Sequence, residues 1–436
     1  MRRVLIIAYF FPPAGGGNVA RVHAFTKYLP RFGWQPIVLT TDAAYYLPFF
    51  NDDTLTQSYD DWVIINRTAS LEPKSQLAES LRANVYGVEQ KASLSFQKFG
   101  KPLLRQLYRL LVMPDEQILW LPYAVKKGLQ LIKQHQVEAI FATTPPHSVG
   151  IIGALISRLS GKPFLLDVRD DWVGSPLLDT GPWHRHLFSR ITEKWVVNTA
   201  RAVTPTTQPS KQQFQAKYPI ANPEKFQIIP NGYDPEEISR AIGAAQPRPT
   251  DKLRLVYIGG LPSKRTPLPL FQALAQLPIH VQQLLQVDIY GYARQEFIEM
   301  SQTLGLGHIV NFCGFVSRQE SLRQLAAAQV GLVIIPNEEG GQTAIPGKVY
   351  EYIGANKVVL ALCAPDSAVG TLVKAHNLGL AVPNDDADAI KEALLALVDR
   401  YQQQTLTASP AADLLQYFDR VHQTQRLANL LAEIVA

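Results

Sequence analysis

Val4-Leu5-Ile6-Ile7-Ala8-Tyr9-Phe10-Phe11-Pro12-Pro13-Ala14-Gly15-Gly16-Gly17-Asn18-Val19-Ala20-Arg21 is the stretch on which the fold turns. An apolar run behind the basic start Met1-Arg2-Arg3 also fits the head of a secretory signal. The run is short for that purpose, and no A-x-A cleavage site follows it. A Pro/Gly loop follows instead, and then Val19, Val22, Phe25 and Leu29 recur at helical spacing. Gly33 stops that helix, and Ile37-Val38-Leu39 resumes an apolar strand. The unit reads as strand, Gly-rich loop, helix, strand.

The same alternation continues along the chain. Further strands are expected at Trp62–Asn66, Ala139–Thr143, Phe164–Val168, Ala202–Pro205 and Phe226–Ile229, with helices such as Ser148–Leu159 and Ile191–Ala200 between them. A long insertion at 68–135 interrupts the rhythm. A second series starts at residue 252, with strands at Leu253–Ile258, Val287–Tyr290, Ile309–Phe312, Val330–Ile335, Val358–Leu362 and Leu378–Val382. Short apolar strands alternating with amphipathic helices imply parallel sheets covered on both faces. The expected fold class is α/β with two doubly wound units, 1–235 and 252–405, joined through 232–252. A last helix, Leu414–Val435 within a segment 411–436, is expected to cross back onto the first unit.

Composition narrows the function. The chain has 436 residues, 47% hydrophobic and 18% charged, which suits large buried cores and excludes general disorder. Cys313 and Cys363 alone exclude a disulfide framework and a Cys-rich metal site. No apolar run is long enough to span a bilayer. Residues 1–235 hold 26 Lys and Arg against 18 Asp and Glu, whereas 236–436 hold 16 against 19. A basic first half suits an anionic partner, be it a phosphorylated acceptor, a membrane face or nucleic acid, or only a solvated surface.

Four motifs carry chemistry. Gly15, Gly16 and Gly17 lie between a strand end and a helix start, where a ligand can approach the backbone and meet free N–H groups, with Arg21 adding a cation. The loop lacks G-x-G-x-x-G spacing and reads equally as a tight turn. Thr143-Thr144-Pro145-Pro146-His147 and Asp167-Val168-Arg169-Asp170-Asp171 sit at strand C-termini, where open α/β sheets place ligands. His147 reads either as a site residue or as a helix cap, and the Asp/Arg cluster either as a site or as an ion-pair network. Gly259-Gly260-Leu261-Pro262-Ser263-Lys264-Arg265 offers backbone approach plus cations, either a diphosphate cradle or a basic turn. Lys348 and Glu351, three apart at a helix start, share one face. A carboxylate there can grip a ribose diol, and the plain alternative is an exposed ion pair.

In this order and spacing the motifs resemble retaining glycosyltransferases of family 4. The resemblance covers nearly the whole chain and implies GT-B architecture, two Rossmann-like domains facing a central cleft. Phe10-Phe11-Pro12-Pro13 and Gly15–Gly17 are similar to the family's acceptor loop, and Ile229-Pro230-Asn231-Gly232-Tyr233-Asp234 to its interdomain signature. Gly259 through Arg265 is similar to its phosphate-binding turn, and Lys348-Val349-Tyr350-Glu351-Tyr352 to its nucleotide-binding helix. The family's E-x7-E signature has Thr343 at its first position and Glu351 at its second, with Glu338 and Glu339 nearby. A branch of the family carries an Arg-Asp motif where Arg169 and Asp170 stand.

The resemblance implies transfer of a sugar from a nucleoside-diphosphate donor to a hydroxyl on a glycan or lipid-linked acceptor, with retention. Gly259, Gly260, Lys264, Arg265, Lys348, Val349 and Glu351 would bind the donor, and Gly15, Gly16, Gly17, Arg21, His147 and Arg169 the acceptor. Lys348, Arg265 and Asp170 would carry the chemistry, and neither cofactor nor metal is expected. A basic, acid-free segment at 98–111, with Lys98, Lys101, Arg105 and Arg109, reads as a contact for an anionic membrane or as a core helix with a solvated side. The expected location is cytoplasmic, at the inner membrane face if that contact forms. The rival readings are a nucleotide-sugar 2-epimerase, a non-catalytic nucleotide-sugar-binding subunit, an NAD(P) oxidoreductase and, least supported, a nucleic-acid binder.

Overall fold

The computed structural model describes residues 1–15, 17–46, 55, 59, 62–72, 112–173, 183–245, 252–262, 265–336 and 345–436. Gly16, Lys264, Glu338, Glu339, Thr343 and the basic segment 98–111 lie outside them. The described residues form two compact units. One takes Met1–Asn231 and Arg420–Ala436, and the other takes Gly232–Asp419.

Unit 1 is built on a parallel sheet of β1 (Arg2–Ile7), β2 (Trp34–Thr41), β3 (Ile64–Thr68), β4 (Ala139–Thr144), β5 (Phe164–Val168) and β6 (Ala202–Pro205). Its strand order is β3-β2-β1-β4-β5-β6. The helices are α1 (Gly17–Tyr28), α2 (Leu121–His135), α3 (Ser148–Ser160), α4 (Trp183–Thr199) and α5 (Gln208–Lys217). Successive strand residues point to opposite faces. Leu5, Ile7, Ile37, Leu39, Ile140 and Ala142 therefore meet Leu131 of α2, Ile152 of α3 and Val196 of α4. Val4, Ile6, Val38, Phe141 and Leu165 meet Val22 and Phe25 of α1 on the other face. Two buried faces explain why these strands read as unbroken apolar runs.

Unit 2 repeats the plan with β7 (Leu253–Ile258), β8 (Leu285–Tyr290), β9 (Val310–Gly314), β10 (Val330–Ile334), β11 (Val358–Leu362) and β12 (Gly379–Val382). The order is β12-β11-β10-β7-β8-β9, again parallel. Its helices are α6 (Pro235–Ala244), α7 (Leu268–Ala275), α8 (Ile279–Gln282), α9 (Gln295–Thr303), α10 (Arg318–Ala327), α11 (Gly347–Gly354), α12 (Ala368–Ala375), α13 (Ala387–Gln402) and α14 (Ala412–Phe418). The chain then re-enters unit 1 as α15 (Arg420–Val435). There Leu427, Leu430 and Leu431 pack against the face formed by Val4, Ile6 and Phe141.

Two of the expected elements differ in kind from what is observed. Phe226–Ile229 is not a strand but a single bridge beside β6, Val203 to Phe226. The amides of Gln227 and Ile229 donate to Val203 and Pro205, but Pro205 has no N–H to return the next bond, so the ladder stops. The expected helix Leu414–Val435 is two helices. Asp419 takes an extended conformation (φ −70°, ψ 126°) between α14 and α15, at the passage from one unit to the other.

Candidate functional site

In a doubly wound sheet, ligands sit at the carboxyl ends of the strands where the order reverses. In unit 2 that point lies between β7 and β10. The chain leaves β7 into Gly259, whose φ of +117° suits glycine. Gly291 lies against it: a Cβ there would stand 2.5 Å from the Gly259 carbonyl oxygen. Backbone thus packs directly on backbone at the ends of β7 and β8, and Gly260 beside them is exposed.

The second residue of α11 reaches this turn. The Lys348 ammonium lies 3.4 Å from the centre of the Tyr257 ring. It lies 3.3 Å from where a Cβ on Gly259 would be. The Tyr257 hydroxyl donates to the Gly260 carbonyl at 2.9 Å and also meets the Arg265 side chain. Burial, reinforced by Arg265 and opposed by Glu351, holds the Lys348 pKa well below the usual lysine value. The ring face offsets part of that desolvation through a cation–π contact. Tyr352 fixes the height of α11. Its ring occupies the space of a Cβ on Gly331, at 2.2 Å, and its hydroxyl donates to the Leu332 carbonyl at 3.1 Å.

Glu351 shares the helix face with Lys348 but not an ion pair. Its Oε1 accepts from Nη1 of Arg318 at 2.8 Å. Arg318 also holds Glu237 of α6, through Nε at 2.8 Å and Nη2 at 2.7 Å. Val349, expected among the donor contacts, is a core residue. Its side chain is buried and its amide donates to Pro346 at 3.0 Å, which leaves it nothing to offer a ligand.

In unit 1 the equivalent region is the end of β1, β4 and β5. Arg21 is no surface cation. It is 1% exposed and grips the fully buried Asp167 through Nε at 3.0 Å and Nη2 at 2.7 Å. It also donates to the carbonyls of Pro230 (2.6 Å) and Ile229 (2.9 Å), tying α1, β5 and the segment after β6 together. An acceptor contact by Arg21 therefore gives way to a structural role. Asp167 further accepts from the hydroxyls of Thr143 (2.7 Å) and Thr204 (2.8 Å). Burial alone would raise its pKa, but the Arg21 charge and these hydrogen bonds outweigh burial and lower it.

Arg169 turns its guanidinium onto the β4 loop, donating to the carbonyls of Thr144 (3.0 Å) and Pro145. Asp170 is the exposed carboxylate at the end of β5; crowding by surrounding chain raises its pKa, against the pull of Arg169. His147 is buried and stacked on Trp172, with centroids 5.1 Å apart and planes at 9°. Burial, helped by Arg169, lowers its pKa to about 3, so the ring is neutral at physiological pH. Gly15 is partly buried after the Phe11–Ala14 turn, and Gly17 opens α1.

Comparison with known proteins bears on the family and the fold. Residues 16–232 match the model of a glycosyl transferase 4-like domain, and residues 252–400 match that of glycosyl transferases group 1. The chain is of the glycosyltransferase family 4, GT-B type. No curated protein matches it. Among solved structures, HepE from Anabaena in complex with UDP is 18% identical, covering 99% of this chain and 100% of that one at a TM-score of 0.61. Sucrose-phosphate synthase from Thermosynechococcus elongatus is 14% identical, covering 100% and 96% at 0.62. A Listeria monocytogenes protein assigned as a UDP-N-acetylglucosamine 2-epimerase is 11% identical, covering 98% and 94% at 0.59. At these identities the likeness shows the GT-B fold.

Within this GT-B-type chain the structure adds residues that sequence reading missed. Arg318 and Glu237 lie 33 and 81 positions from their partners, with no motif around them. Tyr257 was visible only as a strand aromatic. Among the described residues no three His, Cys, Asp or Glu side chains are grouped as for a metal ion. No described helix is long and apolar enough to cross a membrane.

Proposed function

We propose that this chain transfers a glycosyl group from a nucleoside-diphosphate sugar to a hydroxyl acceptor with retention of configuration. The observation that carries the reading is the Lys348 ammonium at the Gly259–Gly260 turn, beside Tyr257 and Arg265. Negative charge grows on the diphosphate as the glycosidic bond breaks. Two cations and exposed backbone placed where that charge develops favour the transition state over the ground state. A bound diphosphate sets negative charge against the Arg265 repulsion that lowers the Lys348 pKa, and so favours the ammonium form. In this reading the cations take the charge-neutralising role, and Glu351 binds the ribose diol.

Retention fits a front-face path in which the leaving phosphate oxygen accepts the proton of the attacking hydroxyl. Asp170, exposed at the end of β5, is the carboxylate assigned to the acceptor side, and Gly15 and Gly17 belong to the acceptor loop. Arg169 and His147 shape the neighbouring loop. The acceptor is a glycan or lipid-linked sugar of an envelope polysaccharide at the cytoplasmic face, a reading supported by the basic balance of residues 1–235.

Calorimetric titration with UDP, GDP and ADP, with and without Mg²⁺, tests the donor site. One diphosphate should bind without metal, and Lys348→Met should weaken it about 10- to 100-fold, the worth of a charge-assisted contact. Binding indifferent to Lys348→Met refutes the site. Isomerised nucleotide sugar formed without acceptor redirects the reading to an epimerase, and inversion at the product's anomeric carbon refutes retention.

A further inference from the structure

We propose that Arg318 is a positioning residue of the donor site, aiming the Glu351 carboxylate at the ribose diol and keeping it off Lys348, with Glu237 in turn orienting Arg318. The inference rests on the reading of Glu351 as the ribose-binding carboxylate. Three elements meet here: α11 supplies Glu351, α10 supplies Arg318 and α6 supplies Glu237. The Arg318 and Glu351 side chains are 19% and 13% exposed, so their contact is shielded from most of the solvent.

Arg318 pins only Oε1 of Glu351, and Oε2 has no hydrogen-bond partner among the described residues. A carboxylate oxygen has two acceptor positions. Oε1 thus keeps one for a hydroxyl while bound to Arg318, and Oε2 keeps both, which suits two adjacent hydroxyls. The terminal torsion of Glu is otherwise soft. Without Arg318, Glu351 is expected to turn to the cation three residues before it on the same helix face. That pairing would remove the ribose ligand and also neutralise the ammonium that meets the diphosphate.

Local chemistry points the same way. Arg318 is the first residue of α10, directly after the Ser317 cap, where a cation opposes the helix dipole. Such breaches of a local rule gather at functional sites. Glu237 stands in the favourable place, in the first turn of α6, its amide capped by Asp234 at 3.1 Å. Its carboxylate takes two of the Arg318 nitrogens and so fixes the guanidinium plane.

The test compares the affinity of the whole chain for UDP and for 2′,3′-dideoxy-UDP by calorimetry, with the guanosine and adenosine pairs alongside. The wild type should prefer the ribose form by about tenfold or more. Glu351→Gln and Arg318→Met should each abolish that preference, Arg318→Lys should retain part of it, and Glu237→Gln should reduce it. In the Glu351→Gln background, Arg318→Met should add little, because the two act as one. Thermal melting verifies folding, and if Arg318→Met fails to fold, Arg318→Lys and Glu237→Gln carry the comparison. An Arg318→Met protein that keeps the wild-type preference, or weakens both ligands equally in both backgrounds, overturns the proposal while leaving Glu351 its role. A wild type without preference, or without binding to any diphosphate, removes the ribose reading and this inference with it.

Discussion

Asp167→Asn should strip unit 1 of a large part of its stability. The carboxylate accepts two hydrogen bonds from Arg21, one from Thr143 and one from Thr204. An amide keeps one oxygen and presents N–H donors in place of the other. In either flip one Arg21 nitrogen then faces a donor, whereas a threonine hydroxyl can rotate to accept. Arg21, at 1% exposure, then has no counter-charge, and only the remaining amide oxygen, the carbonyls of Ile229 and Pro230 and the Phe25 ring answer it. Removing one partner of a buried pair costs about 3–5 kcal/mol. All six tryptophans, at 34, 62, 120, 172, 183 and 195, lie in unit 1, so their fluorescence in a urea titration reads that unit alone. With an m-value near 3 kcal/mol/M, the midpoint should fall by about 1–1.7 M.

The pH dependence supplies a second check. The folded-state pKa of Asp167 is depressed, so its contribution is present above the unfolded value of about 3.9 and is lost as pH falls through the folded one. The Asn variant has no such contribution to lose, and the two stability curves should converge in acid. A deficit under about 1 kcal/mol at pH 7, or one that persists undiminished in acid, refutes the reasoning. Arg21→Met with Asp167→Leu should be less damaging than Asp167→Asn alone, since no buried charge is then stranded.

Gly331→Ala should destabilise unit 2 by about 1–3 kcal/mol, because the new methyl lands 2.2 Å from the Tyr352 ring under α11; an unchanged unfolding midpoint counts against that packing. The His147 ring should stay neutral from pH 8 down to about 4, seen as an imidazole resonance that does not titrate near 6.5 and disappears in His147→Phe. Because its folded-state pKa is depressed, its share of stability is present above about 6.5 and declines as pH falls toward about 3, a decline that His147→Phe should remove.

The alternation of apolar strand and amphipathic helix was enough to place most strands, because a doubly covered parallel sheet leaves its strands no polar face. It failed at Phe226–Ile229, where composition looked right but Pro205 on the neighbour ends the ladder. It also ran through Asp419, since the apolar spacing continues while the backbone straightens. The turn at Gly259 and the helix bearing Lys348 and Glu351 were legible as local patterns of glycine, cation and carboxylate. The long-range partners were not. Arg21 looks like a ligand cation until Asp167, 146 residues away, is seen to occupy it. Arg318 looks like any helix-start arginine until the fold brings Glu237 and Glu351 to it.

The return of α15 to unit 1 has a consequence for biosynthesis. Residues 420–435 cover Val4, Ile6 and Phe141, yet the ribosome makes them only after all of Gly232–Asp419. At about 5–20 residues per second that interval is roughly 10–40 s. During it the apolar face of the nascent first sheet is covered only in part, by α1, and the surface that α15 later packs on stays open. A chaperone that binds exposed apolar surface should therefore engage ribosome-bound chains throughout synthesis of unit 2 and release them once α15 has docked.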